Sequence, residues 1–263
     1  VAEEELLVEI DEECRVGVIT LNRPARRNAL TLSFLERIAS ACRDLDARKD
    51  ISSIILTGAD PAFCAGFDLK DLSTEDRQLQ IERQDRTMEY PGLLPPLHLP
   101  VIGAVNGPAV TGGLELALSC DFLICSAAAR FADTHARVGA MPGGGLTIRL
   151  PERIGMARAL QMSLTGDFIS PDTALSWGLV NEVVPHGELL PRARALAAAI
   201  ASIPPENIAE IKKMYAAVPP LSDTDAFQSE LQWARQWMAR RFDQHRLSTE
   251  RNSIVERGRT QAK

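Results

Sequence analysis

Residues 101–122 read VIGAVNGPAVTGGLELALSCDF. A short apolar run, VIGAV, stops at Asn106, Gly107 and Pro108, and a second apolar run begins only after the glycine pair Gly112 and Gly113. The first has the length of a buried strand, while GGLELALSC has helical spacing. DFLICSAAARF, which follows, is strand-like again. Strand, turn, helix and strand in so short a span imply an α/β fold of short strands stacked in successive turns.

The same pattern extends outward. LLVEIDEECRVGVITLNRP alternates apolar and polar positions about an acidic centre, which predicts a hairpin ending at Pro24. Leu32, Leu35, Ile38, Ala39 and Cys42 then recur at helical spacing, and ISSIILTGA predicts a strand. Residues 73–100 predict a charged helix running into a loop rich in proline. Beyond Gly155, the pattern predicts a helix, a turn, a short helix and a strand, and from about residue 187 the chain reads as helical. In FQSELQWARQWMARRF, the residues Phe227, Leu231, Ala234 and Met238 share one stripe, with Trp233 and Trp237 on a neighbouring one. That apolar surface exceeds what one helix edge hides, so it predicts packing against a partner.

Composition narrows the function classes. The chain has 263 residues, of which 45% are hydrophobic, enough for a large core without covalent staples. A net charge of -6 argues against a nucleic-acid binder and suits a cytoplasmic protein. No apolar run reaches the ~18 residues of a membrane span, and the acidic start lacks the features of a signal peptide. Cys14, Cys42, Cys64, Cys120 and Cys125 form no C-x-x-C pair, and the four histidines are scattered. Neither a disulfide framework nor a metal site is expected, and the cysteines read as small buried hydrophobes.

Two stretches differ from ordinary core. In TGGLELALSCD the glycines stand where a helix starts, and the first amides of a helix lack partners and lie at its positive end. In FCAGFDL, Gly66 permits a tight turn that turns the following amides outward. Either stretch alone also reads as ordinary turn punctuation. Two such amides aimed at one point would form an oxyanion hole for a carbonyl oxygen.

Together these stretches resemble a known family. AFCAGFDLKDL and VIGAVNGPAVTGGLELALSCDF resemble the two signatures of the enoyl-CoA hydratase/isomerase, or crotonase, superfamily. The resemblance also takes in ITLNRPARRNAL, the long segment from Pro142 to Val184, and the helical tail, in order and over nearly the whole chain. It implies a spiral of repeated strand-strand-helix turns, assigned to residues 1–200, and a C-terminal helical region, 201–263, that assembles a homotrimer or a homohexamer made of two trimers. It implies an acyl-CoA thioester as substrate, with no separate cofactor, nucleic acid or membrane partner.

Carried over by position, the resemblance implies an oxyanion hole made of the backbone amides of Phe67 and Gly112. Arg26 and Arg27 would meet coenzyme A phosphates, since paired cations beside a turn suit them, and the adenine would lie near Ala65, Gly66 and Asp68. The family hydratases hold one water between two glutamates. Glu115 matches the first and sits in the apolar run LELAL, where burial should raise its pKa; a solvent-facing glutamate is the plain alternative. The second is replaced by His135, which keeps a titratable group without the negative charge. Strand alternation would turn Asp133 to the side of His135, as a replacement carboxylate or an orienting partner. Three functions follow: hydration of a 2-enoyl-CoA, which leads; another reaction of the superfamily such as enoyl-CoA isomerisation or acyl-CoA hydrolysis; or acyl-CoA binding with little turnover.

Overall fold

The computed structural model describes residues 4–68 and 92–217. The charged segment after Asp68 and the tryptophan-bearing tail from 218 therefore lie outside the described residues. The chain divides into one compact unit, Val1–Ala209, and a second that begins at Glu210.

The predicted hairpin is present: β1 (Leu6–Asp11) pairs antiparallel with β2 (Val16–Leu21), with Asp11 opposite Val16. Helix α1 (Leu32–Asp46) follows, its N-terminus capped by the Thr31 hydroxyl, which accepts from the Phe34 amide. Its apolar stripe, Phe34, Leu35, Ile38, Cys42 and Leu45, is buried. Then come β3 (Ser53–Gly58), β4 (Val101–Val105), β5 (Pro108–Val110), α2 (Gly112–Leu118), β6 (Phe122–Ser126) and β7 (Arg130–Ala132). The last stretch continues through α3 (His135–Val138), α4 (Leu146–Ile154), α5 (Met156–Thr165), α6 (Pro171–Trp177), β8 (Glu182–Val184), α7 (Leu189–Ala201) and α8 (Pro205–Ala217).

The main sheet has the order β1-β2-β3-β4-β6-β8 and is parallel after the hairpin. β5 and β7 pair parallel in a separate two-stranded sheet. Isolated bridges extend that second layer, with Cys64 beside Ala109 on one side and Ile169 beside Phe131 on the other. Among the described residues, β4, β5 and α2 make one full circuit, with one strand in the main sheet, one short segment in the second layer and a helix, and β6, β7 and α3 repeat it. This is the spiral of strand-strand-helix turns.

Alternation along the main strands sorts the core. Ile19, Leu21, Ile54, Leu56, Val105, Leu123 and Cys125 join the large core with α1 and α2. Val18, Ile55, Ile102, Ala104 and Ile124 face the other way, against Leu189, Ala193 and Ala197 of α7. A sheet covered on both faces accounts for the nearly unbroken apolar runs.

One local reading changes. DFLICSAAARF is not one strand: it leaves the main sheet at Ser126, whose hydroxyl accepts from the Ala128 amide at 3.1 Å, and enters the second layer at Arg130. TIRLPERI is helical in α4 despite Pro151, because three apolar residues, Leu146, Leu150 and Ile154, bury one face and outweigh the missing donor.

Candidate active site

The α2 segment sets the site. Gly113 follows from close packing: a Cβ built there would lie 2.0 Å from the Cys64 carbonyl oxygen, so only glycine lets the helix start against that loop. Thr111, just ahead, has φ 55° and ψ -116°, a backbone state costing roughly 1–3 kcal/mol for a side-chain-bearing residue. Three hydrogen bonds hold it there. Its amide donates to Ala132 O at 2.9 Å, its carbonyl accepts from Glu115 N at 3.0 Å, and its hydroxyl meets that of Thr134 at 2.7 Å.

The second stretch lies alongside. Gly66 takes φ +93°, and a Cβ on it would be 2.9 Å from Val110 O and 3.4 Å from Gly112 N. Leu30 donates to Gly66 O at 2.8 Å and accepts from Asp68 N at 2.8 Å, a bridge that skips the Phe67 amide. A Cβ on Gly112 would lie 3.5 Å from Phe67 N, so the amides of Phe67 and Gly112 are neighbours. Among the described residues, neither amide donates to a protein acceptor.

Buried Asn28 keeps this loop in place. Its side chain accepts from Arg23 N at 2.8 Å and donates to Ala59 O at 2.8 Å and Ala62 O at 2.7 Å. The turn it anchors carries Arg26 and Arg27, both exposed, and the Ala65 amide donates to Arg27 O at 3.0 Å. The structure thus brings together Arg26, Arg27, Ala65, Gly66 and Asp68 at one edge of the loop. Among the described residues, neither arginine pairs with a carboxylate.

Glu115 is buried, only 1% exposed, rather than facing solvent. One carboxylate oxygen accepts from the Gly144 amide at 2.7 Å, and the other lies 3.8 Å from His135 Nε2. Burial pushes its pKa up, and the hydrogen bond from Gly144 and the nearby imidazole only partly offset that. His135 and Asp133 are also buried.

Asp133 reaches His135 by a different route from the one alternation predicts. The strand ends at Ala132, and His135 opens α3, so no strand relates the two side chains. Instead Asp133 Oδ1 accepts from the His135 amide at 3.1 Å and lies 2.6 Å from His135 Nδ1, a turn closed by its own side chain. Burial alone would raise the Asp133 pKa, but hydrogen bonds from His135 and from Ser163 of α5 together hold its carboxyl below the usual range. An ionised carboxylate only accepts, so Nδ1 carries the hydrogen and Nε2 faces Glu115.

The sequence reading missed Thr111, Gly144, Asn28 and Ser163. A non-glycine residue just ahead of a glycine pair gives no sign of positive φ. Gly144 lies in the glycine run 143–145, yet nothing in the run ties its amide to Glu115. Four of the five cysteines are buried, and burial pushes the thiols of Cys42, Cys64 and Cys125 up to about 12, as inert core groups.

A family model described as Enoyl-CoA hydratase/isomerase matches residues 11–259. The chain belongs to the enoyl-CoA hydratase/isomerase family. It is similar to a probable peroxisomal enoyl-CoA hydratase of Arabidopsis thaliana, 39% identical over 74% of this chain and 73% of that protein. It is also similar to a probable mitochondrial enoyl-CoA hydratase of Dictyostelium discoideum, 35% identical over 94% and 87%. Among solved structures, an enoyl-CoA hydratase from Bacillus anthracis superimposes with a TM-score of 0.83 at 32% identity, covering 96% of this chain and 97% of that one. One from Mycobacterium tuberculosis gives 0.74 at 44% identity, covering 88% and 98%. The spiral is therefore a crotonase fold, and the chain is an enzyme of this family. No helix among the described residues is long and apolar enough to cross a membrane.

Proposed function

We propose that this enzyme hydrates a 2-enoyl-CoA to the 3-hydroxyacyl-CoA. The observation that carries the reading is a single juxtaposition. The unspent amides of Phe67 and Gly112 lie at the start of the helix that, one turn later, presents the buried carboxylate of Glu115 towards His135.

In this reading the thioester oxygen sits between the two amides, which draw the electrons of the conjugated double bond towards the carbonyl. Glu115 and His135 are 3.8 Å apart, too far for a direct hydrogen bond, but a water about 2.8 Å from each can bridge them. Glu115 takes a proton from that water as its oxygen attacks C3, and His135 delivers a proton to C2. A raised carboxyl pKa makes Glu115 a stronger base than an exposed glutamate.

Coenzyme A would lie along the edge made by Arg26, Arg27, Ala65, Gly66 and Asp68, with the arginines on its phosphates. The reaction needs no cofactor beyond the thioester itself. The assembly would be a homotrimer or homohexamer through the C-terminal helices, in the cytoplasm.

The test is turnover of a panel of 2-enoyl-CoA and 3-enoyl-CoA thioesters with products identified by mass. Hydration adds the mass of one water to the 2-enoyl substrates. Conversion of 3-enoyl to 2-enoyl thioesters at constant mass, or release of free coenzyme A, with no hydrated product would reject the proposal for isomerisation or hydrolysis.

A further inference from the structure

His135 alone cannot replace a carboxyl, because a histidine alternates between positive and neutral while a carboxyl alternates between neutral and negative. The neighbourhood of His135 supplies the difference. Asp133 Oδ1 lies 2.6 Å from Nδ1, both residues are buried, and the carboxylate is held by the His135 amide and by Ser163. Among the described residues, the other titratable group facing the imidazole is Glu115; Arg137 turns away, its Nε donating to Thr165 O at 2.7 Å.

We infer that Asp133 is a positioning residue for catalysis, and that the His135–Asp133 pair works as one proton carrier with the charges of a carboxyl. With the imidazole protonated the pair is neutral, and with it neutral the pair carries one negative charge. The pair therefore occupies the place of a second glutamic acid without its geometry. This deepens the proposed function and rests on it for the hydration step.

A lone pair of water forms the C3–O bond while Glu115 takes one water proton. The π pair of C2=C3 moves into the thioester carbonyl, held by the Phe67 and Gly112 amides, and returns to form a C2–H bond with the proton on Nε2. One water has then been added. A newly bound water bridges the 3.8 Å between Glu115 and Nε2 and relays the proton from the carboxyl to the imidazole, and the starting charges are restored. Through these changes Asp133 keeps the mobile proton on Nε2 by holding Nδ1–H, and balances the imidazolium charge. An aspartate does the same for the histidine of a serine-protease triad.

The experiment compares the parent with Asp133→Asn, Asp133→Glu, His135→Ala and Glu115→Gln. Asp133→Asn removes the charge but keeps an oxygen for the His135 amide. It is expected to lower kcat by about 10²–10⁴-fold, leave the Kd of a saturated acyl-CoA within about twofold, and move the alkaline limb of the kcat profile to lower pH. Asp133→Glu, which keeps the charge, should leave the limb where it is in the parent. A second readout is deuterium uptake at C2 of a saturated acyl-CoA in D2O, followed by mass. That exchange should fall at least about tenfold in Asp133→Asn and His135→Ala and persist in Glu115→Gln.

An unmoved limb with undiminished exchange in Asp133→Asn would overturn the inference, whether or not the parent hydrates. Exchange that depends on Asp133 in a parent that forms no hydrated product would instead reject the hydratase reading alone. If Asp133→Asn does not fold, the limb position in Asp133→Glu together with loss of exchange in His135→Ala decides. A limb displaced despite the retained charge, or exchange undiminished without the imidazole, would sink the idea.

Discussion

Glu115→Gln should make the protein more stable and the enzyme nearly dead. The side chain is 1% exposed, and its charge is met by the Gly144 amide at 2.7 Å, by lesser contributions from the Leu146 and Gly143 amides, and by an imidazole at 3.8 Å. Desolvating a carboxylate costs several kcal/mol even after relaxation, and these amides and the imidazole offset only part of it, since the carboxyl pKa stays raised. Glutamine is close to isosteric and still offers an oxygen to the Gly144 amide. Exchanging a charged acceptor for a neutral one gives up roughly 1 kcal/mol of that hydrogen bond. The balance leaves a gain of about 1 kcal/mol at alkaline pH, or a rise of about 2–4 °C in Tm for a domain of this size.

The pH dependence carries the sign. A carboxyl whose folded-state pKa is raised contributes stability below its unfolded value and loses it as pH rises through the folded value. The difference in Tm between variant and parent should therefore be largest near about pH 8 and shrink towards about pH 4, below the usual glutamate value. Thermal melts across that range, with turnover measured beside them, check it. Turnover should fall about 10²–10⁴-fold. A variant that melts below the parent by the same margin at every pH would show that the carboxylate is not held against its own solvation.

Gly113→Ala forces a methyl group to within 2.0 Å of the Cys64 carbonyl and should cost about 3 kcal/mol, read as a lower urea midpoint; an unchanged midpoint would disprove the close approach. Arg26→Ala with Arg27→Ala should raise KM for a coenzyme A thioester about tenfold or more with kcat little changed, whereas an unchanged KM would remove both from the phosphate site. Sedimentation at micromolar concentration should show a trimer or hexamer, and a stable monomer of 28.7 kDa would reject the proposed assembly.

Much of this was legible because the signals were local. The hairpin alternates, α1 keeps its stripe, and the glycine pair marks the start of α2 within a residue. The carboxylate of Glu115 was legible too, since its neighbours in LELAL are all apolar. What stayed hidden depends on segments distant in sequence. Nothing in SAAARF says that the chain changes sheets, because the second layer exists only through neighbours such as Cys64 and Ile169. Asp133 was found as the partner of His135 for the wrong reason, as a neighbour on a strand, when a turn closed by its own side chain joins them. Ser163 stands on another helix, and only folding brings it to Asp133.

On the proposed mechanism, the division between backbone and side chain accounts for how this chain could work with a histidine at position 135. The groups proposed to polarise the thioester are amides, so they are set by chain path: Gly66 at φ +93°, Thr111 held at φ 55° against roughly 1–3 kcal/mol of strain, and Gly113 pressed on Cys64. A substitution that disturbs any of these moves an amide, and no other side chain can replace it. The proposed proton carriers obey a looser rule. They must reach the water and C2, and their charges must alternate in the right sense. At position 135 the reach comes from an imidazole and the sign from Asp133, two residues away, through bonds that also start α3. On the proposed mechanism a lone His135 would satisfy the first condition and fail the second, so Asp133 is the residue that would let an imidazole do the work of a carboxyl there.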